Sequence, residues 1–261
     1  MPILSTIALP SQAKPTAATI FLIHGLFGSA DNLTSLGKEL SQYAHVYLVD
    51  ALNHGNSPHI DSMNYMLQAQ SLIETMNALG IVKASILGHS MGGKIAMATA
   101  LIAPERVENL VVADMAPVRY SHGHHAEFQG LNHVELTRIN SRREADHQLS
   151  KYIKVEQIRQ FLLKSLLKDQ TGWHWKFALK ELEDNYPDIV DWPFEAMQFN
   201  HPTLFIKAQR SDYISTQYQQ AIQQQFPSAS LKIIADCGHW LHAEKPRLFN
   251  RIVVEYLIQD N

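Results

Sequence analysis

The chain has 261 residues, 46% of them apolar and 18% charged, and its 22 Lys and Arg against 25 Asp and Glu leave a formal charge of −3. That balance excludes a disordered chain, a polycation built for nucleic acid and a basic membrane-surface protein. A single cysteine, Cys237, excludes an internal disulfide framework and fits a reducing compartment.

Residues 1–10 are apolar without a basic stretch and are cut at Pro10, so they read as a short strand and not as a leader. No apolar run approaches the ~20 residues needed to cross a bilayer, and the cytoplasm is the expected location. Residues 18–23 read as a buried strand running into His24-Gly25, 33–43 as a helix and 45–50 as the next strand. Met66, Ala69, Ile73, Met76 and Leu79 keep a helical stripe up to Gly80. A strand follows at 84–87, a helix at 94–103 stopped by Pro104, and a strand at 109–114. Continuous apolar strands alternating with helices predict a doubly wound, mostly parallel sheet covered on both faces.

The rhythm breaks at Ala116-Pro117. No strand is expected from 121 to 199, where Val155, Ile158, Phe161, Leu162 and Leu166 mark a helical face and three of the four tryptophans fall. Strands at 203–207 and 231–235 and helices at 216–225 and 246–258 then resume the pattern, the last opening on Pro246. The expected organisation is a core of residues 1–119 and 200–261 with a helical cap, residues 120–199, inserted after the sixth strand.

Gly88-His89-Ser90-Met91-Gly92 stands where a buried strand turns into a helix. That is the context of a nucleophile elbow: the tight turn lifts Ser90 above the sheet edge, and flanking glycines relieve the crowding. A serine hydroxyl needs a base. His239, in the loop after the last strand, is the candidate; His242 is expected to pack or to face solvent. Asp50, Asp114, Asp212 and Asp236 all end strands or sit just beyond them, and spacing does not choose among them as the acid that orients the imidazole. Two backbone N–H groups must hold the developing oxyanion, and Leu26, in the glycine-rich turn His24-Gly25-Leu26-Phe27-Gly28, and Met91 are assigned that part.

These segments, with Asn53-His54-Gly55-Asn56-Ser57-Pro58-His59, Asp114-Met115-Ala116-Pro117-Val118 and Gly238-His239-Trp240, resemble in this order the α/β-hydrolase superfamily. Within it they are similar to the small bacterial esterases of the YbfF type and their mitochondrial relatives. The resemblance spans nearly the whole chain. It implies Asp114 as the acid ahead of Asp212, with Ser211 as an assisting fourth polar residue. It also exposes a departure: related segments read Asp-Ala-Arg-Asn-His-Gly, and here Leu52 replaces the arginine.

The function expected is a serine hydrolase, a carboxylesterase or acyl thioesterase, forming an acyl-enzyme on Ser90 of a Ser90–His239–Asp114 catalytic triad. Its partner is a small ester or thioester, with no metal, cofactor, nucleic acid or membrane required. The alternatives are a cofactor-free haloperoxidase-like or carbon–carbon bond hydrolase, and a ligand-binding protein on a hydrolase fold. His122, His124 and His125 are read as a solvated hinge in preference to a metal site, or as substrate contacts if one faces the cleft. Arg119 is read as a surface ion pair, Cys237 as a small buried filler, and Phe128, Phe161, Trp173, Trp175, Phe177, Trp192 and Phe194 mostly as core.

Overall fold

A computed structural model describes residues 1–12, 18–121 and 123–258. The chain runs β1 (Thr6–Leu9), β2 (Thr19–Ile23), α1 (Thr34–Leu40), β3 (His45–Val49), α2 (Tyr65–Ala78), β4 (Ala84–His89), α3 (Met91–Ile102) and β5 (Val107–Ala113). It then leaves the sheet through α4 (His125–His133), α5 (Arg142–Leu149), α6 (Glu156–Leu163), β6 (Leu166–Asp169), β7 (Gly172–Trp175), α7 (Leu179–Asp184) and α8 (Tyr186–Val190). It returns through β8 (Thr203–Ala208), α9 (Gln219–Gln225), β9 (Ala229–Ile234), α10 (Leu241–Glu244) and α11 (Pro246–Leu257).

Seven strands form one sheet in the order β1-β3-β2-β4-β5-β8-β9. Only β1 is antiparallel to its neighbour. The strands alternate apolar side chains to both faces, as a sheet covered on both sides requires. Phe21, Ile23, Ile86 and Val112 point into the layer shared with α2, α3 and the insertion, whereas Ile20, Leu22, Leu87 and Val111 point into the layer beneath α1 and α11. The register pairs Ile23 with Gly88, Gly88 with Val112, and Val112 with Phe205, so four strands end at nearly one level. Residues that follow these ends are thereby gathered along one carboxyl edge.

Two expectations need correcting. The insertion follows the fifth strand, not the sixth: a single antiparallel strand, closed by Pro10, precedes the parallel run. The insertion is also not wholly helical, because β6 and β7 pair as an antiparallel hairpin. Its turn is made by the Asp169 carboxylate, which accepts from the Thr171 N–H and hydroxyl, and by Gly172 at φ 118°. Four-residue strands are too short to show a periodic pattern.

The insertion is clamped to the sheet layer. Gln225 of α9 accepts from the Trp192 indole N–H at 2.9 Å and donates to the Pro117 carbonyl at 3.2 Å, tying the last part of the insertion to the segment that leads into it. Lys94 of α3 donates to the Val190 and Asp191 carbonyls, both at 2.9 Å, and Tyr65 donates to the Ile189 carbonyl. Of the cap aromatics, Phe128, Trp175, Phe177, Trp192 and Phe194 are core. Among the described residues no helix is long and apolar enough to cross a membrane.

Candidate active site

Ser90 stands between β4 and α3 at φ 55° and ψ −120°, a conformation that side chains rarely adopt. The flanking glycines make the turn possible. A Cβ on Gly88 would lie 1.9 Å from the Gly92 carbonyl oxygen, and one on Gly92 would lie 2.3 Å from the Ile23 carbonyl oxygen. The first turn of α3 therefore seats directly against the end of β2.

His239, in the loop after β9, reaches over this elbow. Its Nδ1 is 2.8 Å from Asp114 Oδ2 and its Nε2 is 2.9 Å from Ser90 Oγ. A carboxylate only accepts, so Nδ1 carries the proton, which leaves Nε2 to accept from the Ser90 hydroxyl. Asp114 follows β5 directly, at φ 51°, fully buried. Its other oxygen, Oδ1, accepts from the Ala208 N–H at 2.9 Å. The acid is thus held from the neighbouring strand by a backbone donor.

The other candidates fall elsewhere. Asp212 is exposed and makes no hydrogen bond or ion pair with His239, because the turn closed by the Ser211 N–H on the Ala208 carbonyl carries it outward. Ser211 is buried, and its hydroxyl accepts from the Tyr213 N–H at 3.3 Å and makes no hydrogen bond with Asp114 or His239. Asp50 accepts from the Ala30 and Asn56 N–H groups, and Asp236 lies in the loop before His239 at φ 49°. His242 packs against the His89 ring at 4.5 Å, and burial pushes it down to about 4. His89 donates from Nε2 to the His239 carbonyl at 2.8 Å. Desolvation holds it well below the ordinary imidazole range, so it braces the loop as a neutral ring.

Among the described residues, no turn or loop hydrogen bond gives the Leu26 or Met91 N–H an acceptor. Met91 is the first residue of α3, where the helix dipole favours negative charge. The loop bearing Leu26 is braced by two histidines that sequence reasoning passed over. The Phe27 N–H donates to His54 Nε2 and the Ala51 N–H to His24 Nε2, both at 3.1 Å. Their Nδ1–H groups donate to the Leu52 and Gly25 carbonyls. Burial pushes His24 down to about 4 and His54 down to about 3, which keeps both rings neutral and both Nε2 atoms free to accept. The motif residues His24-Gly25 and Asn53-His54-Gly55 carried this signal without stating it. Leu52 is fully buried in the apolar core.

Tyr213 stacks on His239 with ring centres 4.2 Å apart, and Trp240 lies against both His239 and Phe161. A cavity of about 200 Å³ reaches Ser90 and His239 between Phe27, Ile158, Phe161 and Trp240. His124 lines it and bonds Tyr186, whereas His125 is exposed and His122 lies outside the described residues. Arg119 pairs with Asp191 at the surface at 3.8 Å, and Cys237 is buried with its thiol pushed up to about 11. Among the described residues no group of three His, Cys, Asp or Glu gathers to hold a metal. A serine bonded to an imidazole, itself bonded to a buried carboxylate, beside two open backbone donors, can carry out nucleophilic acyl transfer.

The model of the alpha/beta hydrolase family matches residues 20–252. The chain is 40% identical over 251 residues to an esterase, YbfF, of Escherichia coli, covering 96% of this chain and 97% of that one. It is 37% identical to an sn-1-specific diacylglycerol lipase of Danio rerio, over 94% of this chain and 80% of the relative. A solved marine microorganism esterase superposes with a TM-score of 0.92 at 34% identity, covering 98% of this chain and all of that one. The chain belongs to the alpha/beta hydrolase family.

Proposed function

We propose that the chain is a serine esterase working through an acyl-enzyme on Ser90. His239 takes the Ser90 proton as Oγ attacks the ester carbonyl, and the Leu26 and Met91 N–H groups receive the oxyanion. His239 then protonates the leaving oxygen or sulfur. Water, deprotonated by His239 in turn, releases the acid. Asp114 keeps the imidazole in the reactive tautomer and stabilises its cation.

The observation that carries this reading is the unbroken Ser90–His239–Asp114 hydrogen-bond chain, 2.9 and 2.8 Å, at the mouth of a cavity. Relatives named esterase and lipase support ester chemistry. Thioesters are open to the same steps. The division into core and cap at 120–199 supports a lid that shapes the pocket and excludes water. The single cysteine supports a cytoplasmic setting.

Hydrolysis of p-nitrophenyl esters from acetate to palmitate, by the wild type and Ser90→Ala, tests it. The variant should lose roughly 10⁴–10⁶-fold in kcat. Equal turnover by both proteins would remove Ser90 from the chemistry. No ester turnover by the wild type, with a carbon–carbon substrate cleaved instead, would favour that other hydrolase class.

A further inference from the structure

Ser90 faces two cavities, not one. The larger, about 200 Å³, contains the His239 side of the elbow. The smaller, about 30 Å³, also reaches Ser90 and is bounded by Met91, Met115, Lys94, Tyr65, Tyr120 and Ile189, none of which lines the larger. Both cavities touch Leu26, Ser90, His124 and Tyr213; His239 lines only the larger.

Chemistry assigns the two halves of the ester. The bond that breaks joins the carbonyl carbon to the leaving oxygen, and that oxygen must take its proton from His239 Nε2. The leaving alcohol therefore lies on the His239 side. With the carbonyl oxygen turned to the Leu26 and Met91 N–H groups, the acyl chain is directed away from His239, into the small cavity. A water needs on the order of 10–15 Å³ of such space. A 30 Å³ cavity thus takes about two or three heavy atoms beyond the carbonyl.

Three side chains that wall the small cavity are held by buried hydrogen bonds. Tyr65 donates to the Ile189 carbonyl at 2.6 Å, and Lys94 to the Val190 carbonyl at 2.9 Å. The Tyr120 hydroxyl accepts from the Ala116 N–H at 2.8 Å and donates to the Tyr213 carbonyl at 2.6 Å. Lys94 Nζ also lies over the Tyr65 and Tyr120 rings, 5.3 and 4.9 Å from their centres. The larger cavity is walled on its cap side by Ile158, Phe161 and Leu162 of α6, apolar side chains suited to a hydrocarbon leaving group.

The geometry points to esters of short acids, acetyl or propionyl, with a bulky apolar alcohol: the small cavity holds the acyl group and the large one the leaving group. This inference rests on the serine esterase reading. Ser90 Oγ bonds the short acyl carbon, the alcohol departs with the proton carried by His239, and water regenerates Ser90 and frees the short acid.

Two substrate series test it. In p-nitrophenyl alkanoates the acid lengthens; in alkyl acetates, followed by proton release, the alcohol lengthens from ethyl to octyl. The expected result is a fall of at least tenfold in kcat/KM from propionate to hexanoate, and a rise from ethyl to hexyl acetate. Met115→Ala removes three heavy atoms from the small cavity wall and should move the optimum in the p-nitrophenyl series to longer acids, while the optimum alcohol length in the acetate series stays where it was. Leu162→Trp should do the reverse, slowing hexyl acetate more than ethyl acetate while leaving the optimum acid length where it was. A wild type that hydrolyses hexanoate or longer acids better than acetate would overturn the partition and leave the esterase reading standing. Absence of turnover in both series would overturn both.

Discussion

Acid should unfold this protein through its buried histidines. His24, His54 and His242 are neutral in the folded chain, pushed by burial to about 4, 3 and 4 from an ordinary value of 6.5. Between pH 6.5 and about 4 the unfolded chain therefore binds protons that the folded chain refuses, so stability rises with pH across that window. At pH 5 the folded rings are still neutral, and each costs about 2 kcal/mol set by the unfolded value alone. Three rings sum to about 6 kcal/mol, comparable with the ~5–15 kcal/mol that holds a domain together. His89, also held low, acts in the same direction. Urea unfolding followed by tryptophan fluorescence at pH 7.5, 6 and 5 measures the fall. Carboxylates that protonate in this range add to it, so the decisive quantity is a difference between proteins. In His54→Gln the amide oxygen can still accept from the Phe27 N–H, but nothing there titrates. The drop from pH 7.5 to 5 should then shrink by about 2 kcal/mol. An identical pH dependence in the two proteins would refute the reasoning.

Other outcomes follow from single contacts. Asp114→Asn should lower kcat about 10⁴-fold by letting the imidazole take the wrong tautomer, whereas Asp212→Asn, at an exposed position, should change it less than twofold; the reverse order in the ester assay would mean the acid is misassigned. Gly88→Ala forces a Cβ to within 1.9 Å of the Gly92 carbonyl oxygen, with no side chain there to give way. It should abolish activity and yield little folded protein, and a normally active variant would show the elbow to be looser than described. Trp192→Phe removes the donor to Gln225 and should destabilise the chain by about 1–3 kcal/mol in urea titration. An unchanged midpoint would show that the clamp between the insertion and α9 does not contribute.

The strand–helix alternation and the elbow were legible in the chain itself because both are local. A short strand, residues 84–87, running into Gly-x-Ser-x-Gly states its own geometry: glycines are needed where backbone passes backbone within 3 Å, and Ser90 is the residue between them. His239 was legible for a related reason, since in a parallel sheet the loop after any strand returns to the same edge. The acid was not legible from spacing, because Asp114 and Asp212 both follow strands. Adjacency of β4 and β5, their register, and the outward turn after Ala208 bring one carboxylate to His239 and send the other to solvent. Ser211 was expected as an assisting polar residue, whereas the second contact on Asp114 comes from the Ala208 backbone N–H, a donor that every residue but proline carries and that no sequence pattern marks. His24 and His54 became neutral acceptors only when the core closed around them. The unequal cavities on either side of Ser90 have the same origin. Their sizes depend on where side chains from α3, α6 and α8, far apart in the chain, stop short of contact, and that distance is decided by packing, not by any one segment.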